Sequence, residues 1–185
     1  MRVTRAFVCV LGVVLTTVSY AEQLRYTIDK NGNPALRQEA KAPLPAFPEE
    51  DNLMRIDAPV RGGGNQFFID RASIARDLDL VMRYTVVVRS PSGVQNTMHE
   101  GMACGLRQVK TYAYGNGKRQ FVEFYRPRWR AISYHGVKGY QGILADRFLC
   151  DDSHGYLDRD SVLDRLDNPG SVDGDDGGVD GHDND

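Results

Sequence analysis

Residues 81–89, VMRYTVVVR, carry the pattern that most restricts the fold of this chain. Every second residue from Met82 to Val88 is apolar, while Arg83 and Thr85 fall between them. Because successive side chains of an extended chain point to opposite faces, this alternation is typical of a β-strand with one face towards a core. The fold is therefore built around a sheet that contains this segment.

Two turn signals extend this strand into a meander. Ser90–Gly93, SPSG, predicts a turn, so residues 94–104 are expected to return as the second strand of a hairpin. Asn116-Gly117 predicts another hairpin, between strands at 107–114 and 119–125, because both turn residues tolerate a positive φ.

The segments on either side of these hairpins complete the predicted fold. A further strand is expected at 65–70, NQFFID, and the following RASIARDLD predicts a turn or a single helical turn. GYQGILADRFLC, at 139–150, places its apolar residues at helical spacing and predicts a helix with one apolar stripe. The expected fold is α+β: an antiparallel β-meander of about five strands with one C-terminal helix packed on a face.

The N-terminus has the three parts of a secretory signal peptide. Arg2 and Arg5 form a basic start, an apolar run follows, and small residues end it at Ser19 and Ala21. We expect cleavage after Ala21 and a periplasmic or secreted protein. An uncleaved membrane anchor is the less favoured alternative, because the apolar run is short for a span of roughly 20 residues.

Removal of residues 1–21 would leave two cysteines, Cys104 and Cys150. An even number of cysteines in an oxidising compartment predicts a disulfide, and two cysteines allow one intramolecular pairing. The alternative is a free, reactive thiol.

The composition divides the remaining chain into three parts. We expect an extended lead-in at 22–43, a folded domain at 44–150, and an acidic, disordered Asp/Gly-rich tail at 151–185. The tail has 12 Asp and two Arg, a charge of −10, whereas residues 22–150 have a balance of +6. This asymmetry suits either a tail that folds back on the body or a body that meets an anionic surface.

The segment from His99 to Cys104 holds three groups that catalysis could use, namely His99, Glu100 and Cys104. An odd separation on a strand puts His99 and Cys104 on opposite faces unless a bulge intervenes, for instance at Gly101. A buried half-cystine on a core face is therefore favoured, and a thiol enzyme or hydrolase is the alternative.

No pattern in the sequence predicts a cofactor or a metal centre. The histidines are scattered singly, so a zinc site is not expected. The tail aspartates, among them Asp173, Asp175 and Asp176, offer oxygen ligands, but no register fits an EF-hand loop. Loose calcium binding by the tail remains a minor alternative to a solvated acidic tail.

The segment YRPRWR places Arg126, Arg128 and Arg130 around Trp129 and is the best candidate interaction surface of the body. Arginine and tryptophan are good anchors at interfaces, and the cluster suits an acidic envelope protein or an anionic polymer. The alternative is that Trp129 packs on the sheet while the arginines are merely solvated. Nucleic acid is not expected outside the cytoplasm.

Several stretches of the chain resemble the CNP1-like family, a group of exported proteins of Gram-negative bacteria. They are FFIDRASI (67–74), VMRYTVVVRSPSGVQNTMHEGMAC (81–104), YAYG (112–115), RPRWR (126–130) and FLC (148–150). The resemblance covers residues 44–150 and implies an envelope setting, but it brings no activity and no catalytic residue. The expected disulfide-linked sheet, the lack of paired catalytic carboxylates in the sequence and the Arg/Trp cluster together favour an exported, non-enzymatic binding module.

Overall fold

The computed structural model describes residues 26–28, 34–36, 39–58, 64–153 and 155–170 of the chain. The predicted signal peptide at 1–21, half of the lead-in, and residues 171–185 of the predicted tail lie outside these ranges. Strands β1 (Tyr26–Ile28) and β2 (Pro34–Leu36) pair antiparallel in a unit that ends at Arg37, and the second unit starts at Gln38.

The second unit is built on one antiparallel sheet, which confirms the predicted meander and extends it from about five strands to seven. Neighbouring strands follow the order β3-β4-β5-β6-β7-β8, and β9 pairs with the start of β7 beside β8. The strands are β3 (Leu53–Ile56), β4 (Gln66–Arg76), β5 (Met82–Arg89), β6 (Gln95–Ala103), β7 (Gln108–Gly115), β8 (Phe121–Glu123) and β9 (Arg130–Ala131).

Strand β4 corrects the prediction of a turn or helical turn after residue 70. The strand continues to Arg76 across a bulge between Asp70 and Ala75. Within the bulge, Ser73 Oγ donates to the Asp70 carbonyl and accepts from the Thr85 amide, both at 2.8 Å. Asp and Ser are common in turns because their side chains form hydrogen bonds with the nearby backbone, so the sequence suggested a turn here. In the structure, the serine hydroxyl instead replaces a backbone hydrogen bond that the bulge removes from the sheet.

Both predicted hairpin turns are present. Gly93 has a φ of 83° in the first. In the second, the left-handed residue is Arg119, with a φ of 56°, and not Asn116 or Gly117. The Asn116 side chain instead accepts from the Lys118 and Gln120 amides at 2.9 and 3.0 Å, which closes the loop from within.

The predicted helix at 139–150 is present and is followed by a second one. Helix α1 (Tyr140–Ile143) continues as a wider π-helical turn over Leu144–Leu149. Helix α2 (Arg159–Asp167) is capped by Asp158 and buries Val162 and Leu166 in the core. The fold thus extends past Cys150, where the sequence predicted the disordered tail to begin.

Both faces of the central strands are buried, since Val86 and Val87 are each 0% exposed. One face packs against the helices, while the other carries residues 39–48 of the chain. The Ala40 amide donates to Asp79 at 2.8 Å, and its carbonyl accepts from Arg83 at 3.0 Å. Part of the predicted lead-in therefore covers the sheet and belongs to the fold.

None of the helices in the described part of the chain has the length and apolarity needed to cross a bilayer.

Candidate anion-binding site

The two cysteines form the predicted disulfide. Cys104 directly follows β6 and Cys150 directly follows the π-helical turn, with an S–S distance of 2.04 Å and a Cα–Cα distance of 5.7 Å. Both residues are buried in the core. The bond fixes the end of the helical segment to the sheet and leaves neither residue as a thiol.

His99, Glu100 and Cys104 do not converge on one site. The His99 ring faces residues 39–48, and its centroid lies 5.9 Å from that of Tyr112. Cys104 lies on the other face, within 3.6 Å of the Leu149 carbonyl oxygen. As the sequence predicted, His99 and Cys104 lie on opposite faces of the sheet because they are an odd number of residues apart. The bulge between β6 and β7 does not bring their side chains together.

Glu100 is a buried carboxylate between the sheet and helix α1, with 1% exposure. It accepts from Tyr84 and Thr111 at 3.1 Å, from Tyr140 at 3.2 Å and from Gln141 at 3.3 Å. Burial raises the pKa of the Glu100 carboxyl, while the four donors oppose that rise. Burial, together with the nearby Glu100 charge, holds the pKa of each tyrosine hydroxyl well above its usual range.

A first cavity, of about 300 Å³, lies on the face covered by residues 39–48. Two of its cations are already paired: Arg83 with Asp79 at 2.7 Å, and Lys110 with Glu39 at 2.7 Å. Burial and the nearby Arg83 charge lower the pKa of His99 to about 4, so this imidazole is neutral at pH 7. The charges of this cavity are largely neutralised from within the protein.

The second cavity is formed by the predicted arginine cluster. Residues 124–129 leave the sheet after β8 and return to it at β9, and we call them the bowed segment. Successive residues of an extended chain point to opposite sides, so residues two positions apart share a side. Arg126, Arg128 and Arg130 all line one pocket of about 160 Å³.

Trp129 points away from that pocket. Its indole Nε1 donates to Glu39 at 3.2 Å, and the ring is half-buried, with the Lys110 ammonium 5.6 Å from its centroid. The predicted surface is therefore divided: Trp129 anchors the bowed segment to the start of the fold, while the three arginines share the opposite side.

Lys138 completes a set of four exposed cations around this pocket, which we call the basic pocket. Sequence reasoning missed Lys138 because it lies in the turn before helix α1, eight positions beyond the cluster. Among the described residues, none of the four cations forms an ion pair, and no Asp or Glu lines the pocket. Thr111, Ser133 and Gln141 contribute the uncharged polar groups of its wall.

Metal ligation has no support in the part of the chain that the structure describes. No group of three or more His, Cys, Asp or Glu is placed there to hold an ion. The tail aspartates proposed as calcium ligands, Asp173, Asp175, Asp176, Asp180 and Asp183, lie outside the described residues.

The sheet, the two helices and the disulfide define a small α+β protein with a basic surface pocket. The model of the CNP1-like family matches residues 33–167, and the chain belongs to this family. The match starts before the expected residue 44 and continues past Cys150, as does the observed fold. No curated protein and no solved structure matches the chain.

Proposed function

We propose that this protein is an exported binding module that holds an anionic partner in the basic pocket and has no chemistry of its own. The observation that carries the proposal is the set of four cations around a pocket without an acidic residue. Elsewhere in the described chain, arginines such as Arg83, Arg89 and Arg107 are paired with carboxylates of the protein. The cations of the basic pocket are therefore available to pair with an anionic partner.

The chemistry of the pocket suits phosphate or carboxylate groups. A guanidinium presents a planar fork that matches either group in a bidentate contact, while Lys138 acts as a point charge. Four like charges in a small space repel one another, so an anion relieves that repulsion when it binds. Long-range attraction also speeds the encounter at low ionic strength.

Export is the second part of the proposal. It is supported by the signal pattern of residues 1–21 and by the disulfide, since such bonds persist in oxidising compartments. In that setting the partner is an acidic envelope protein or an anionic polymer or lipid, and not a nucleic acid.

The test is a calorimetric titration of the full chain with tripolyphosphate at several salt concentrations. We expect binding that weakens as salt rises, and a loss of at least tenfold in affinity in the triple variant Arg126→Gln, Arg128→Gln, Arg130→Gln. Arg55→Gln is the matched control, because Arg55 is an exposed arginine on β3, at the opposite edge of the sheet. Equal affinities of the triple variant and the wild type, or no binding at low salt, would contradict the proposal.

A further inference from the structure

We infer that the anionic partner is an amphiphile, with a phosphate-type head group in the basic pocket and one acyl chain in an apolar groove beside it. The inference rests on the proposed function and adds the chemical class of the ligand. It comes from a third cavity, which neither the sequence pattern nor the family assigns to any role.

The groove has a volume of about 330 Å³ and lies on the helix-facing side of the sheet. Pockets that hold small ligands start at roughly 300 Å³, so the groove is large enough for one slender chain. Its apolar walls are formed by Val88, Met98, Tyr114, Phe124, Val137 and Tyr140.

The groove and the basic pocket adjoin each other. Thr111, Phe124 and Lys138 line both of them. A ligand that places its charge among the arginines can therefore continue past Phe124 and Lys138 into the apolar groove. Such a ligand would occupy both cavities, with its charged end in the basic pocket and its apolar end in the groove.

The rim of this combined site exposes large apolar side chains. Phe124 is 46% exposed, Val137 is 56% exposed and Tyr114 is 43% exposed. The Tyr114 and Phe124 rings meet edge to face, with centroids 5.5 Å apart, and form one wall. Aromatic side chains beside Arg and Lys are typical of surfaces that meet the interface of a lipid layer.

An acyl chain fits the groove better than a peptide segment does. A peptide brings backbone amides that need hydrogen-bond partners, and most of this wall is apolar. The hydrocarbon tail of an acyl chain has no polar groups, and each of its methylenes that leaves water contributes favourably to the free energy of binding. Charge complementarity at the arginine end fixes the head group, so a neutral or cationic amphiphile is excluded.

The experiment is a titration of the full chain with a series of monoalkyl phosphates, from methyl to decyl, below their micelle concentrations. Phosphorus NMR measures the weak members and calorimetry measures the others. We expect affinity to rise by up to about fourfold for each added methylene until the groove is filled. Decyltrimethylammonium should not bind.

Variants separate the two halves of the site. Val137→Ser with Tyr114→Ser should flatten the dependence on chain length and leave methyl phosphate binding unchanged, because both residues line the groove and neither lines the basic pocket. Leu78→Ser is the matched control, because Leu78 is 91% exposed and lies in the turn between β4 and β5. The triple arginine variant should weaken every member of the series.

The possible results have distinct meanings. Equal affinity for methyl and decyl phosphate would overturn the amphiphile and leave the anion-binding proposal standing. No binding of any anion would overturn both. A second arm uses vesicles of neutral lipid with one fifth phosphatidic acid: binding to vesicles without binding to monomeric decyl phosphate would overturn the groove assignment.

Discussion

The hydroxyl of Tyr140 lies 3.2 Å from both carboxylate oxygens of Glu100, so one buried acid joins helix α1 to the middle of the sheet. Thr111 and Gln141, which also donate to Glu100, line the basic pocket. The carboxylate therefore holds the wall of the candidate site in place from inside the core.

Replacing this acid should destabilise the protein. In Glu100→Gln, an amide nitrogen would face hydroxyl and amide donors, and at least one of them would lose its acceptor. We expect the free energy of unfolding to fall by about 3 kcal/mol, the usual cost of removing one partner from a buried charged network. Urea unfolding at pH 7 measures the change.

Tyr140→Phe is the matched control for that network. It removes one donor and leaves the carboxylate with three, so a loss of about 1 kcal/mol is expected. A Glu100→Gln variant as stable as the wild type would show that the fold does not need an acid at this position.

Loss of the disulfide should lower the free energy of unfolding substantially. Cys104 and Cys150 are 46 residues apart, and the chain-entropy model assigns a crosslink of that span about 4 kcal/mol. We expect the double variant Cys104→Ala, Cys150→Ala to unfold at correspondingly lower urea. A thiol titration of the denatured, unreduced protein should find neither residue free, and labelling of both would contradict the bond.

The buried His99 should make the protein less stable in mild acid. Its pKa is about 4 in the folded protein and 6.5 in the unfolded chain, so the unfolded chain binds more protons between these values. The stabilising effect of a neutral His99 is complete above pH 6.5 and is lost as the pH falls towards 4, by up to about 3 kcal/mol.

His99→Asn isolates this contribution, because the other titrating groups remain. Urea unfolding at pH 7.0, 5.5 and 4.5 should show a stability gap between wild type and variant that changes in favour of the variant as the pH falls. Parallel pH profiles of the two proteins would refute the assignment.

Position 101 should not accommodate a residue larger than glycine without a loss of stability. A Cβ at this position would lie 2.7 Å from the Tyr112 ring and 2.8 Å from Val81, between the sheet and the cover of residues 39–48. We expect Gly101→Ala to lower the free energy of unfolding by about 1–3 kcal/mol. Gly117→Ala is the control: apart from the two neighbouring residues in the chain, no heavy atom lies within 4 Å of a Cβ at this position, so the stability of this variant should be close to that of the wild type.

The sequence was sufficient wherever the determining contacts are local. The β5–β6 hairpin follows from alternation and a Gly-containing turn, and the helix at 139–150 follows from its apolar stripe. The disulfide followed from counting cysteines in a chain expected to be exported. In each case, the signal lies within the segment itself or in its composition.

Contacts between distant segments could not be predicted in this way. Glu39 binds Lys110, Tyr112 and Trp129, which lie 71 to 90 positions away, and nothing in its own neighbourhood predicts this role. Helix α2 offers few apolar residues, so its packing depends on a surface that β4 and the π-helical turn supply.

Only the part of the candidate site that lies within one segment could be predicted from the sequence. Three arginines at alternate positions are visible in one segment, and the structure places them together. Lys138 joins them only because the chain folds back before α1, and Trp129 leaves them because Glu39 holds it on the other side.

The bowed segment has a further consequence for the free protein in a crowded compartment. Strands β8 and β9 both pair with β7, and the chain between them departs from the line of the sheet. A strand of a second molecule could not pair continuously along this edge of the sheet, because the backbone hydrogen bonds are interrupted there. The positive charges of the bowed segment would also repel the same charges of the second molecule. We therefore expect these arginines to act against edge-to-edge aggregation, so a variant that neutralises them should precipitate more readily than the wild type.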